Sequence, residues 1–275
     1  MADPAESRAG VPADVLAGVL ADLTAECAEL DALIAPLDPA GWQQPTPAEG
    51  WTIATQIAHL AWTDDIAALA ATDPDAFIAE LTAVLERGEV DTYVDAAATQ
   101  WQRRPDLLAT WRQGRAALAK ALTDLPTGIK IPWFGPPMSA TSMATARLME
   151  TWAHGQDVAD ALGAHRPPTD RLKHVAHLGV RTRDFAFRTR GLEPPAEPFR
   201  VELTAPSGAS WTWGPEDAAQ RLTGPALDFC LLVTQRRHPD DLALVATGPD
   251  VERWLGIAQA FAGPPGEGRA PGRFP

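Results

Sequence analysis

Glu150 and His154 stand four residues apart, which on a helix puts both side chains on one face a turn apart, so that a carboxylate and an imidazole can converge on one ion. That pair has an ordinary alternative, a simple surface or core pairing, and Asp170 with His174 repeats the spacing elsewhere in the chain. His59 is a third donor of the right type. It shares a helical stripe with Trp62, Ile66 and Leu69, so it faces packed surroundings in which an imidazole needs a partner. Taken alone, His59 reads best as a core histidine bonded to a carbonyl. Two imidazoles and one carboxylate together form a set suited to zinc that leaves coordination positions open, as catalytic sites do. The same set is also the facial triad of non-haem Fe(II) oxygenases. A third alternative is a non-enzymatic metal-bearing binding module, in which an ion only ties two helices together.

Around these donors lie residues that could assist. Asp157, three residues after His154, returns to the same helix face, where it could accept a hydrogen bond from a ligand histidine or a bound water; the alternative is an exposed helical charge. Arg236 and Arg237 follow an apolar stretch at 229–233 and could clamp a substrate carboxylate, since a guanidinium matches that group in bidentate fashion. Otherwise they are exposed arginines next to the turn His238-Pro239-Asp240-Asp241. His174 and His177 read as surface residues. Cys27 and Cys230 are far apart in apolar helical contexts and form no CxxC pair, so both read as core thiols.

The elements that must position these residues are mostly helices. Val15, Val19, Leu23, Cys27, Leu30 and Ile34 recur at helical spacing and stop before Pro36. Thr52 is a suitable N-cap for a second helix that carries His59 and runs towards Asp73-Pro74. A shorter helix follows around Phe77, Leu81, Val84 and Leu85, and a long one runs from Pro105 to Pro126. Residues 131–137 form a Pro-rich loop with Trp133 and Phe134, and a last helix over 139–162 carries Glu150 and His154 to a stop at Gly163. Four long helices without strand-like alternation before residue 165 predict a helical bundle over 1–164. Arg166-Pro167-Pro168 is the expected boundary to a smaller α+β domain over 165–275. There a helix over 170–190 precedes alternating Phe199, Val201 and Leu203, which can pair with 210–213 across Pro206-Ser207-Gly208. A helix over 224–235, a strand over 242–246 and a helix over 251–261 complete it, and the Gly- and Pro-rich tail from 263 reads as an extended strap or disordered.

Composition excludes some functions. Among 275 residues, 45% are hydrophobic and 21% charged, with no apolar run long enough to span a bilayer and no charged-then-apolar leader, so a cytoplasmic protein without a membrane partner is expected. The net charge of −13 disfavours nucleic acid, whose binding rests on clustered Lys and Arg.

Two local sequences resemble a known family. The helix start Glu49-Gly50-Trp51-Thr52 leading to His59-Leu60-Ala61-Trp62, with Glu150-Thr151-Trp152-Ala153-His154-Gly155-Gln156-Asp157, is similar to the metal-binding domain of mycothiol-dependent maleylpyruvate isomerases and their DinB-like relatives. The resemblance implies a DinB-like four-helix bundle followed by a sterol-carrier-protein-like α+β domain. It implies a divalent metal, usually Zn²⁺, on His59, Glu150 and His154, with mycothiol as thiol co-substrate and a small-molecule electrophile as substrate. It also implies that an arginine of the second domain takes part in catalysis, without fixing which; Arg237 is the candidate, alongside Asp157 from its place on the helix face. A metal-bound thiol becomes a thiolate and can attack an electrophilic carbon. Isomerisation follows if the adduct rotates and eliminates, S-transfer if it persists.

Overall fold

Val15, Val19, Leu23, Cys27, Leu30 and Ile34 do lie along one helix, α1 (Ala13–Ile34), in a computed structural model that describes residues 13–88, 90–264, 266 and 268–273. A single turn, α2 (Pro39–Trp42), begins where the Asp38 carboxylate accepts from the Gly41 N–H at 2.7 Å. Next come α3 (Ile53–Thr72) and α4 (Pro74–Arg87); the latter is started by Asp73, which accepts from the Ala76 N–H, and ended by Gly88 at φ +69°. Then follow α5 (Val90–Trp101), α6 (Leu107–Asp124) and α7 (Ala140–Leu162), closed by Gly163 at φ +61°. Helix α5 is an addition to the expected set, although Tyr93, Val94, Ala97, Ala98 and Trp101 recur at helical spacing. No helix among the described residues is long and apolar enough to cross a membrane.

The chain divides into two compact units, one of residues 1–25 and 54–147, the other of 26–53 and 148–275. In the first, one core draws Val19 from α1, Trp62 and Ile66 from α3, Phe77 from α4, Ala97 from α5, Leu118 and Leu122 from α6, and Met143 from α7. Every residue from 54 to 64 is buried, so α3 is a core helix that nevertheless carries polar groups. Thr55, Thr63 and Asp64 are paired. Thr55 donates to the Gln102 side chain at 2.9 Å, and Thr63 donates to the His59 carbonyl at 2.8 Å. Asp64 accepts from Arg147 Nε at 2.9 Å with both side chains almost wholly enclosed. Burial nonetheless holds the Asp64 carboxyl above its ordinary pKa, with Arg147 opposing the shift. The Pro-rich loop is pinned by mutual backbone hydrogen bonds between Ile131 and Met138, and stacks Trp133 on Phe77 with ring centroids 5.9 Å apart.

The second unit contains the expected α+β arrangement. Its four strands are β1 (Phe199–Thr204), β2 (Ser210–Trp213), β3 (Gln220–Pro225) and β4 (Val245–Thr247), in the order β2-β1-β3-β4. The predicted hairpin is β1 with β2, placing Leu203 opposite Trp211. Strand β3, parallel to β1, escapes the period-two reading because its end is Gly-Pro and only Leu222 of its six residues is buried. The expected single helix over 170–190 is two, α8 (Leu172–Arg181) and α9 (Arg183–Thr189), broken at Thr182, whose hydroxyl bonds the carbonyls of Leu178 and Gly179. The remaining helices are α10 (Ala226–Val233) and α11 (Pro249–Leu255), the latter shorter than its apolar pattern suggests. Helix α8 approaches α10 closely at Gly179, where an added Cβ would sit 2.8 Å from a Val233 methyl. The described tail is a strap rather than a loose end: the Ala260 N–H bonds the Val233 carbonyl at 2.7 Å, Arg190 bonds the Gly266 carbonyl at 3.0 Å, and the Gly272 N–H bonds Asp241. The molecule is thus an α+β protein, a helical N-terminal region followed by a smaller domain with a four-stranded sheet.

Two mutations test this packing. Arg147→Met strands a buried carboxyl and should cost about 3–5 kcal/mol in chemical denaturation, most of it recovered when Asp64→Leu is added. Because the folded Asp64 pKa lies above the unfolded value of 3.8, the folded form holds the extra proton, so this contribution is present below that pH and is lost as pH rises. Without its cation the carboxyl rises further, and the Arg147→Met variant should lose stability more steeply than the parent between about pH 4 and 7. Gly179→Ala overpacks α8 against α10 and should cost about 1–3 kcal/mol, relieved by adding Val233→Ala.

Candidate functional site

Trp51 reaches its position through a short clamped loop. The Thr46 N–H and hydroxyl both donate to the Trp51 carbonyl, at 2.8 and 2.9 Å, the Trp51 N–H donates to the Ala48 carbonyl at 3.0 Å, and Gly50 takes a positive φ of +75° that suits glycine. The indole so held stacks on the His154 imidazole, with ring centroids 5.8 Å apart and planes 15° from parallel. One turn earlier on α7, Glu150 lies 3.1 Å from His154 Nε2 through its Oε2 atom, the neighbour relation expected of residues four apart. On α3, His59 is 8% exposed and lies beside Trp62, with ring centroids 6.2 Å apart. His59, Glu150 and His154 are residues of the types that could hold a metal ion.

Beside His154 is a cleft of about 260 Å³ whose lining includes Trp51, Asp157, Gln235, Arg236 and Arg269. Asp157 is fully buried, and its carboxylate is shared by two guanidiniums, Arg236 Nη2 at 2.8 Å and Arg269 Nη2 at 2.6 Å. A buried carboxylate is tolerable only when paired in this way. Arg236 also donates from Nε to the Ala153 carbonyl at 3.2 Å, and Arg269 donates from Nη1 to the Pro47 carbonyl at 2.7 Å. Burial lowers the Arg269 pKa, the Asp157 charge opposes that shift, and the nearby Arg236 adds to it. Two guanidiniums to one carboxylate leave one positive charge in excess at the cleft wall.

Asp157 thus occupies the face of α7 that its spacing indicates, with both oxygens engaged by arginines. Arg237 turns elsewhere, forming a bidentate pair with Asp160 at 2.8 and 2.9 Å, and it is the preceding residue, Arg236, that lines the cleft. Arg269 was not legible: it sits in a Gly- and Pro-rich tail without periodicity, and the only sequence signal is a cation within a segment otherwise poor in side chains that can pair. His177 accepts from Trp213 Nε1 at 3.2 Å, away from these residues. Cys230 is enclosed, donates to the Leu172 carbonyl, and has its thiol pKa pushed well up by burial, which fits a core thiol.

Comparison with known proteins gives a consistent result. Residues 23–159 match the model of the mycothiol maleylpyruvate isomerase N-terminal domain, and residues 195–247 match that of the wyosine base formation family. The fold is similar to crystal structures of the mycothiol-dependent maleylpyruvate isomerase (TM-score 0.53, 17% identity) and of its histidine-to-alanine mutant (TM-score 0.52, 15% identity), each covering 81% of this chain and 88% of the other. Two uncharacterized Mycobacterium tuberculosis proteins, from strains CDC 1551 and H37Rv, are each 59% identical over 252 residues, covering 91% of this chain and 97% of theirs. The chain belongs to one family with these mycobacterial relatives, and its residues 23–159 carry a mycothiol maleylpyruvate isomerase N-terminal domain.

Proposed function

We propose that this protein is a metal-dependent enzyme that uses mycothiol to attack a small electrophile, as an isomerase or S-transferase, with His59, Glu150 and His154 holding a divalent ion, Zn²⁺. The observation that carries this reading is the Glu150–His154 pair one turn apart on α7, with His154 lining a cleft; His59 supplies the third donor of the set. The donor set fits the ion: two imidazoles and a carboxylate suit zinc, and three protein ligands leave room for a fourth group. The chemistry supplied by such an ion is thiol activation, since a coordinated thiol is deprotonated at neutral pH. The family likeness supports mycothiol as that thiol.

The chain's own residues account for binding and orientation. Stacking against Trp51 restrains the His154 ring, so the imidazole meets the cleft in one orientation. The excess positive charge from Arg236 and Arg269 faces the same space and suits an electrophile whose reacting carbon is activated by an oxygen that gains negative charge. Asp157 keeps the two guanidiniums apart and in place. The volume of about 260 Å³ admits a small substrate rather than a polymer.

Elemental analysis of purified protein should find about one zinc per chain, lost in His59→Ala and His154→Ala. Turnover of maleylpyruvate or a generic electrophile with mycothiol should fall at least about 100-fold in the same variants. Unchanged activity in His154→Ala would sink the mechanism, and iron with oxygen consumption would replace it by an oxygenase. Asp157→Asn leaves the two guanidiniums without their counter-charge and should cost about 3–5 kcal/mol in stability, with a raised KM for the electrophile.

A further inference from the structure

Gln235 is the one residue other than glycine that takes a positive φ among the described residues, at +58°. It follows the C-cap of α10, where the Gln235 N–H bonds the Leu232 carbonyl at 2.9 Å and the Arg236 N–H bonds the Leu231 carbonyl at 2.8 Å. This pair of bonds is the Schellman ending, whose left-handed residue is usually glycine because a Cβ is strained there. The chain follows that rule elsewhere. Gly163 with Ala164 closes α7 by the same bond pair, and Gly191 with Leu192 closes the turn after α9, each with glycine at the left-handed position. At 235 a long side chain stands in that strained conformation, and it lines the cleft next to Arg236. Among the described residues its carboxamide makes one long hydrogen bond, from Nε2 to the Ala258 carbonyl at 3.5 Å, the outer limit of such a bond. Its Oε1 lies over the backbone of Gly266, where an added Cβ would come within 2.5 Å of it.

Building on the thiol-enzyme reading above, we infer that Gln235 is a specificity-determining residue of the cleft. Its carboxamide hydrogen-bonds the neutral amide or hydroxyl groups of the thiol co-substrate. A carboxamide offers one acceptor and two donors without charge, which matches a neutral amide or sugar hydroxyl. A carboxylate finds its better partner in the adjacent arginines. The residue therefore selects an amide- or hydroxyl-bearing thiol over a bare alkyl thiol, and a site built to pair such groups discriminates strongly against analogues that lack them.

The test compares the parent with Gln235→Gly, which removes the carboxamide while relieving the backbone, and with Gly266→Ala, which displaces the carboxamide without removing it. The preference for mycothiol over 2-mercaptoethanol, measured as the ratio of kcat/KM values, should fall about tenfold in Gln235→Gly, mainly through a higher KM for mycothiol, while its melting temperature equals or exceeds that of the parent. Gly266→Ala should shift the preference in the same direction. An unchanged preference in Gln235→Gly overturns the assignment, and so does a lowered melting temperature with unchanged KM, which would make the carboxamide a brace for the strap. A parent protein that neither binds nor uses mycothiol overturns both this assignment and the thiol-enzyme reading; a parent that uses mycothiol with Gln235→Gly indistinguishable from it overturns this one alone.

Discussion

A carboxylate buried inside a helix-lined wall sets the geometry of the cleft. Asp157 is wholly withdrawn from water, and an unpaired charge there would cost several kcal/mol, so the chain brings two guanidiniums to it from different parts of the sequence. Arg236 comes from the turn that ends α10, and Arg269 comes from the C-terminal strap. Arg269 reaches further, to the Pro47 carbonyl in the segment that presents Trp51, and Trp51 in turn stacks on His154. One buried charge thus aligns a helix, a helix ending, a strap and an aromatic ring around one space. Because these groups share partners, a change at one alters the pairing of the next.

The same physics operates in the helical unit at α3. A core helix would ordinarily be apolar all round, yet this one carries Thr55, His59, Thr63 and Asp64 in its buried stretch. Thr55, Thr63 and Asp64 each have a hydrogen-bond partner, and the Asp64–Arg147 pair is enclosed enough that burial still raises the carboxyl pKa. Polar groups in such a place cost more stability than apolar ones would, which is the pattern expected when a helix is kept for chemistry rather than for packing alone.

Helices were legible where periodicity and punctuation agreed. The stripe on α1, the Asp73-Pro74 start of α4 and the Gly163 stop of α7 all act through local backbone geometry, and each boundary lies where its residues indicate. The reading was less sharp where local signals conflict with tertiary ones. Thr182 splits an apolar run into α8 and α9 by turning its hydroxyl onto the preceding turn, and β3 pairs in parallel with β1 although only Leu222 marks its buried face. Pairing across a sheet supplies hydrogen bonds that no single strand's pattern records.

By itself, the sequence determined the donor types, the one-turn relation of Glu150 to His154, and the helices that carry them, because side chains three or four apart on a helix meet whatever the rest of the chain does. Tertiary structure decided which distant groups joined them. Arg236 faces the cleft while Arg237 is drawn onto Asp160, and Arg269 reaches Asp157 from the far end of the chain. These outcomes follow from which charges folding removes from water and which partners are then close enough to compensate them, a quantity set by the packed chain as a whole and absent from any local pattern.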